Sequence, residues 1–154
     1  MEYTPEIITE LKPNEIFVFG SNTLGQHHGG AAKIAHEKFG AVWGVAQGLS
    51  GQTYAIPTID YDTWKPVKRS FLLLCMKRFI RFVHQNPGKK FYLTKIGCGI
   101  AGWDVEEVKE IFQDAFNGEG IIPDNLIVPK EFVNTYILIY ASSSRGGLFS
   151  PKSV

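Results

Sequence analysis

Residues 16–32 read IFVFGSNTLGQHHGGAA, and the rest of the chain is organised around them. Ile16–Phe19 is a continuous apolar run bounded by turn-forming residues, the pattern of a strand covered on both faces. A polar, glycine-rich loop follows and runs straight into small residues that suit a helix start. Strand, glycine loop and helix in that order build an anion cradle. N–H groups at the helix N-terminus point at the ligand, and glycines without a Cβ allow close approach. The pyrophosphate of a nucleotide-like ligand is expected here.

Working outward, Ala31, Ala32, Ile34, Ala35 and Phe39 fall near helical spacing, and Gly40 supplies the stop. Residues 1–15 contain Pro5 and Pro13 and are expected to wrap the domain edge, with a short strand near Ile7. Residues 41–52 hold too many glycines for a helix and read as a short strand or extended loop. Tyr54–Thr58 is strand-like, with Pro57 placing its far end at an edge or loop entrance. Pro66 suits the first turn of a helix running to about Gln85, with Val67, Phe71, Leu74, Cys75, Phe79, Phe82 and Val83 as its apolar stripe. Phe91–Ile96 is the next strand. Asp104 is an N-cap with Glu107 three residues on, and that helix runs to about Phe116. Asn125–Val128 and Tyr136–Tyr140 are short strands. The alternation predicts an α/β fold, a three-layer α/β/α sandwich with a mostly parallel central sheet. A single domain over residues 1–141 and a flexible tail over 142–154 are expected.

Composition narrows the function classes. The chain has 154 residues, enough for one complete core, with 44% hydrophobic and 20% charged residues. A net charge of +1 argues against bulk nucleic-acid or membrane-surface binding. Cys75 and Cys98 are too few for a disulfide framework and have no metal-ligand spacing. No run reaches the roughly 20 apolar residues of a membrane span. The acidic N-terminus lacks the apolar segment of a signal peptide, so a cytoplasmic protein is expected.

Two loops carry the chemistry. The first, Gly20 to Gly30, has glycines spaced as in a Walker motif, but Gln26 stands where the lysine belongs, which argues against P-loop ATP hydrolysis. Asn22, just past the strand, can orient a ligand hydroxyl by donating and accepting at once. His27 and His28 are adjacent, so their side chains diverge rather than chelate; no metal site is expected, and one imidazole is expected to line the cleft. The second loop, Gly97-Cys98-Gly99-Ile100-Ala101-Gly102, satisfies G-x-G-x-x-G between a strand and a helix. It comes late in the chain, and Asp124 precedes its strand rather than ending it. The loop therefore reads as a phosphate loop of another kind than the dinucleotide fingerprint. Cys98 reads as a small residue under a tight loop, and Cys75 as core. Trp103, Trp43, Tyr54 and Tyr61 lie near the loops, where an aromatic can stack on a base or close over a ribose.

Together the loops resemble those of the macro domain, an ADP-ribose-binding α/β/α module. Phe19-Gly20-Ser21-Asn22 followed by Gly25 through His28-Gly29-Gly30-Ala31-Ala32 is similar to the family's first loop, and Ile96 through Trp103 to its second. The segment Gly48–Thr58 looks like a divergent branch found in small bacterial and phage proteins. The resemblance spans roughly residues 14–130. It implies that Gly20, Ser21, Asn22, Gly29, Gly30 and Ala31 form the distal-ribose half of the site. It also implies that Gly99, Ile100, Ala101 and Gly102 wrap the diphosphate through backbone N–H groups, with Trp103 against the distal ribose and Gly97 and Cys98 also in the ligand-binding loop. The family's Gly-Asp-Ile-Thr segment, whose Asp reads the adenine amine, has no counterpart here. In the glycohydrolase branch a carboxylate occupies the position of Ala101, so that catalytic route is absent here unless Asp104 substitutes. The expected function is binding of ADP-ribose or a related nucleotide-diphosphate ligand, or hydrolysis of an ADP-ribosyl linkage on a modified substrate. In the hydrolytic case Asn22, His28 and Asp104 are the catalytic candidates, and no cofactor is required. A non-catalytic binding module and a dinucleotide-binding oxidoreductase are the alternatives.

Overall fold

The computed structural model describes residues 2–116 and 121–133. The expected strand at 136–140 and the expected tail from 142 lie outside them. The described residues form a five-stranded sheet in the order β2-β3-β1-β4-β5. The strands are β1 (Glu15–Asn22), β2 (Gly48–Ser50), β3 (Thr53–Ile59), β4 (Lys90–Leu93) and β5 (Leu126–Ile127). β1 pairs in parallel with both β3 and β4, and β4 with β5; only β2, joined to β3 by a tight turn, is antiparallel.

The period-two alternation of β1 sorts the core into two layers. Phe17 and Phe19 pack with Ala32, Ala35 and Phe39 of and beside α1 (Gly30–Lys38). Ile16 and Val18 face the opposite side, against α2 (Arg69–Gln85) and α3 (Val105–Asp114). Tyr54 and Ile56 of β3 join the second layer while Ala55 joins the first. This is the three-layer α/β/α arrangement that the alternation of elements predicts. α1 ends where expected: Phe39 closes it and Gly40 follows at φ +83°.

Several elements differ from expectation. β1 continues through Gly20, Ser21 and Asn22, because β3 goes on pairing with it as far as Asn22↔Ile59 across a register shift. α2 starts at Arg69 because Pro66 is taken into a bridge with Ile59. Its buried face is Leu72, Cys75, Met76, Phe79, Ile80 and Val83, while Phe71 and Leu74 of the expected stripe are exposed. The run Phe71–Cys75 is apolar throughout and fits either phase. Burying Phe71 and Leu74 would bring out Leu72, Met76 and Ile80. At roughly 1.5–3 kcal/mol per large side chain buried, the wider face wins. Near Ile7, itself 79% exposed, no strand forms; Tyr3 instead bridges Val128, and the Thr4 hydroxyl donates to the Leu93 carbonyl at 2.7 Å. β4 ends at Leu93, and Thr94 turns its N–H (3.2 Å) and hydroxyl (2.7 Å) back to the Val18 carbonyl.

Candidate functional site

Parallel β3, β1 and β4 all end at one edge, and there the two glycine loops face each other across a cleft of about 290 Å³. This is the lower end of the roughly 300–1,000 Å³ range of small-molecule sites. The first loop contributes Gly20, Ser21, Asn22, His28, Gly29, Gly30 and Ala31 to the lining, and the second contributes Gly97, Gly99, Ile100 and Ala101. Cys98, Gly102, Trp103 and Asp104 are not among the lining residues.

Asn22, 5% exposed, is committed to folding its own loop. Its Oδ1 accepts the N–H groups of Leu24 (3.1 Å) and Gln26 (3.0 Å), and its Nδ2 donates to the Gln26 carbonyl at 2.8 Å. One amide hydrogen is left for a ligand. The Ser21 hydroxyl donates to the Ala46 carbonyl at 2.5 Å. The loop is also pinned through Gly25, whose φ is +69° and whose carbonyl accepts from Gly44 N–H at 2.9 Å. A Cβ at Gly25 would sit 2.6 Å from the backbone of Gly44 and Val45. Glycine is required at that position.

The loop delivers the N-terminus of α1 to the cleft. Gly29 is its N-cap, no side chain among the described residues caps it, and no acidic residue occupies its first turn. The first N–H groups of a helix have no acceptor within it, and here they are left to the cleft. The second loop mirrors this. Cys98, Gly102 and Trp103 donate their N–H groups within the loop, to Lys95, Gly99 and Gly97 carbonyls. Among the described residues, those of Gly99, Ile100 and Ala101 donate to nothing.

Trp103 lies beneath this loop, 8% exposed, where its Nε1–H donates to the Thr58 carbonyl at 2.8 Å. A Cβ at Gly97 (φ +74°) would come within 2.6 Å of its Cδ1. The indole is therefore the peg that fixes the loop to the end of β3. Asp104 caps α3 by accepting from Glu106 N–H at 3.0 Å, as expected of an N-cap. Cys98 donates to the Ile96 carbonyl at 3.4 Å, and burial pushes its thiol up to about 11, so it is no nucleophile at neutral pH.

His28 is exposed in the cleft lining, its Nε2 2.8 Å from Gln26 Oε1 and its ring edge-on to Trp43 at 5.1 Å. His27 turns inward, 3% exposed, while His28 is exposed, and both rings stand edge-on to Trp43, at 5.7 Å and 5.1 Å. Among the described residues no group of three or more His, Cys, Asp and Glu side chains is arranged to hold a metal ion. Lys95 also lines the cleft, but its ammonium is held by Glu131 (3.0 Å) and Glu6 (3.5 Å), which raise its pKa, Glu131 most. Lys95 is thus a paired cation, while among the described residues the loops present unpaired backbone N–H groups to the cleft.

Besides Gln26, Ala32 and Ile96 at the loops themselves, sequence reasoning missed five lining residues, Thr58, Ile59, Trp64, Thr94 and Lys95. The signal for four of them was available: Thr58, Ile59, Thr94 and Lys95 sit at or just past the carboxyl ends of strands flanking β1, where α/β folds bind ligands. Trp64 gave no such signal.

Fold and cleft define an α/β protein whose candidate site lies between two glycine-rich loops at the carboxyl edge of a mostly parallel sheet. No protein-family model matches the chain, and no curated protein matches it. Among solved structures it is similar to one described as a protein of unknown function from Bacteroides thetaiotaomicron. The TM-score is 0.53 at 13% identity, covering 78% of this chain and 88% of that one. At that identity the likeness is one of fold alone. Among the described residues no helix is long and apolar enough to cross a membrane.

Proposed function

We propose that the cleft binds ADP-ribose or a closely related nucleoside-diphosphate sugar through backbone N–H groups. The observation that carries this reading is the set of free N–H groups at Gly99, Ile100 and Ala101, in the same cleft as the uncapped N-terminus of α1. Two such nests suit a diphosphate better than a single phosphate, because each phosphoryl group finds its own donors. The resemblance of the two loops, in order and spacing, to those of the macro domain supports the same ligand. Titration calorimetry tests it. Heat on addition of ADP-ribose, with inorganic pyrophosphate competing, is the expected result. Absence of both heat and competition at millimolar ligand overturns it.

A hydrolytic reading is favoured by one further observation, the exposed imidazole of His28 in the cleft lining. Asn22 is largely used by its own loop, and Asp104 by its helix. On this reading His28 takes a proton from water attacking an ADP-ribosyl linkage, through Nδ1 while Nε2 donates to Gln26 Oε1. His28→Ala should then abolish release of ADP-ribose from a modified substrate while leaving the affinity for free ADP-ribose within about threefold. Equal release by the variant removes His28 from the reaction. Binding without release in the wild type leaves a non-catalytic module.

A further inference from the structure

The glycine loops do not account for an exposed indole on the rim of the cleft, held there by a turn in an unfavourable backbone state. Trp64 lines the cleft and is 52% exposed. Its φ is +54°, the sole positive value at a non-glycine among the described residues. A bulky residue is strained in that region, and such strain persists only where surrounding bonds over-determine it. They do so here. Trp64 N–H donates to the Asp60 carbonyl at 2.8 Å, and Asp60 N–H to the Lys65 carbonyl at 2.8 Å. Tyr61 N–H donates to Thr23 Oγ1 at 2.9 Å, which ties the turn to the first glycine loop. The Tyr61 ring stands 5.4 Å from the indole.

Core packing does not explain an indole at this position, since half of it meets solvent. Glycine or asparagine would take the same backbone state with less strain. What tryptophan adds is a broad aromatic face beside a cleft whose other exposed apolar surface is Ile100, 73% exposed. Sheet order fixes its place relative to the anion nests. The second loop follows β4 on one side of β1, and the Trp64 turn follows β3 on the other.

We propose that Trp64 is the stacking platform for the nucleobase of the ligand, so that the site selects base-bearing diphosphates over bare sugar phosphates. The proposal rests on the diphosphate reading of the cleft and adds to it the end at which the base lies. Stacking on an aromatic face tolerates any base, because every base has one. The adenine of ADP-ribose is therefore held without base-edge hydrogen bonds being needed.

The experiment is calorimetry of wild type, Trp64→Gly and Trp64→Phe with ADP-ribose and, separately, inorganic pyrophosphate, alongside melting temperatures. Trp64→Gly should weaken ADP-ribose about tenfold or more and leave pyrophosphate unchanged. Its melting temperature should stay level or rise, because glycine adopts the positive φ without strain. Trp64→Phe should restore most of the affinity for ADP-ribose. If Trp64→Gly binds ADP-ribose as the wild type does, the platform assignment falls while the diphosphate reading stands. If it loses ADP-ribose and pyrophosphate alike, or melts earlier with both affinities intact, Trp64 is a structural prop and the assignment falls. A wild type that binds neither ligand overturns the diphosphate reading and this assignment with it.

Discussion

At the scale of single residues, His27 carries the sharpest expectation. Its ring is enclosed by Phe19 at 5.4 Å, His36 at 5.6 Å and Trp43 at 5.7 Å, and among the described residues neither ring nitrogen makes a well-formed hydrogen bond. Burial, then the neighbouring His36 and His28, hold its pKa below the ordinary histidine value, with the nearby Val45 backbone opposing them. The unfolded chain takes up that proton near about pH 6.5, while the folded protein resists it. As pH falls below that value the unfolded state binds more protons, so stability is full above it and declines beneath it. Urea midpoints should therefore fall between pH 7.5 and 5.5, and His27→Phe should flatten that slope. Glu15 and Glu131, whose pKa values are lowered, act only further down, in the carboxylate range. An unchanged slope in the variant would clear His27 of the effect. This geometry was not legible in the sequence: His27 and His28 are adjacent and chemically identical, and only the turn through Gly25 decides which one is buried.

At the scale of elements, the two glycine loops separate glycines required by the backbone from those whose backbone and surroundings would accept a side chain. Gly25 has positive φ and backbone atoms at 2.6 Å from a would-be Cβ. Gly25→Ala should cost roughly 1–3 kcal/mol from φ alone, and more from the collision, read as a lowered midpoint in denaturant melts. Gly99 has open space around it and no positive φ. Gly99→Ala should leave the midpoint unchanged, so that any loss of ligand affinity belongs to the cleft itself. The loops were legible as elements because strand, glycine run and small-residue helix start follow one another without interruption. The phase of α2 was not, since Phe71–Cys75 is apolar on every side and the sheet beneath it makes the choice. Trp103 and Trp64 show the same limit in the site. One tryptophan directly follows a glycine loop and is drawn beneath it by the Thr58 carbonyl. The other sits in a polar connection and is carried to the cleft by hydrogen bonds that join Asp60 to Lys65.

At the scale of the whole molecule, the α/β/α layering was readable because β1 alternates cleanly between two cores and the helices intervene between parallel strands. That layering also brings three strand ends and both loops to one edge without any long-range signal in composition or charge. The first of those loops is not a free lid. Gly25 and Ser21 fasten it to the 44–46 segment by hydrogen bonds at 2.9 Å and 2.5 Å, with no room between the backbones. A ligand arriving at this edge consequently meets a mouth that is already open and already shaped. In stopped-flow mixing, the observed rate should climb in proportion to ligand concentration without levelling off, and ligands of different affinity should differ chiefly in how slowly they leave. A plateau at high concentration would mean that the loop must first break away from residues 44–46, making the chain itself the slow partner in the encounter.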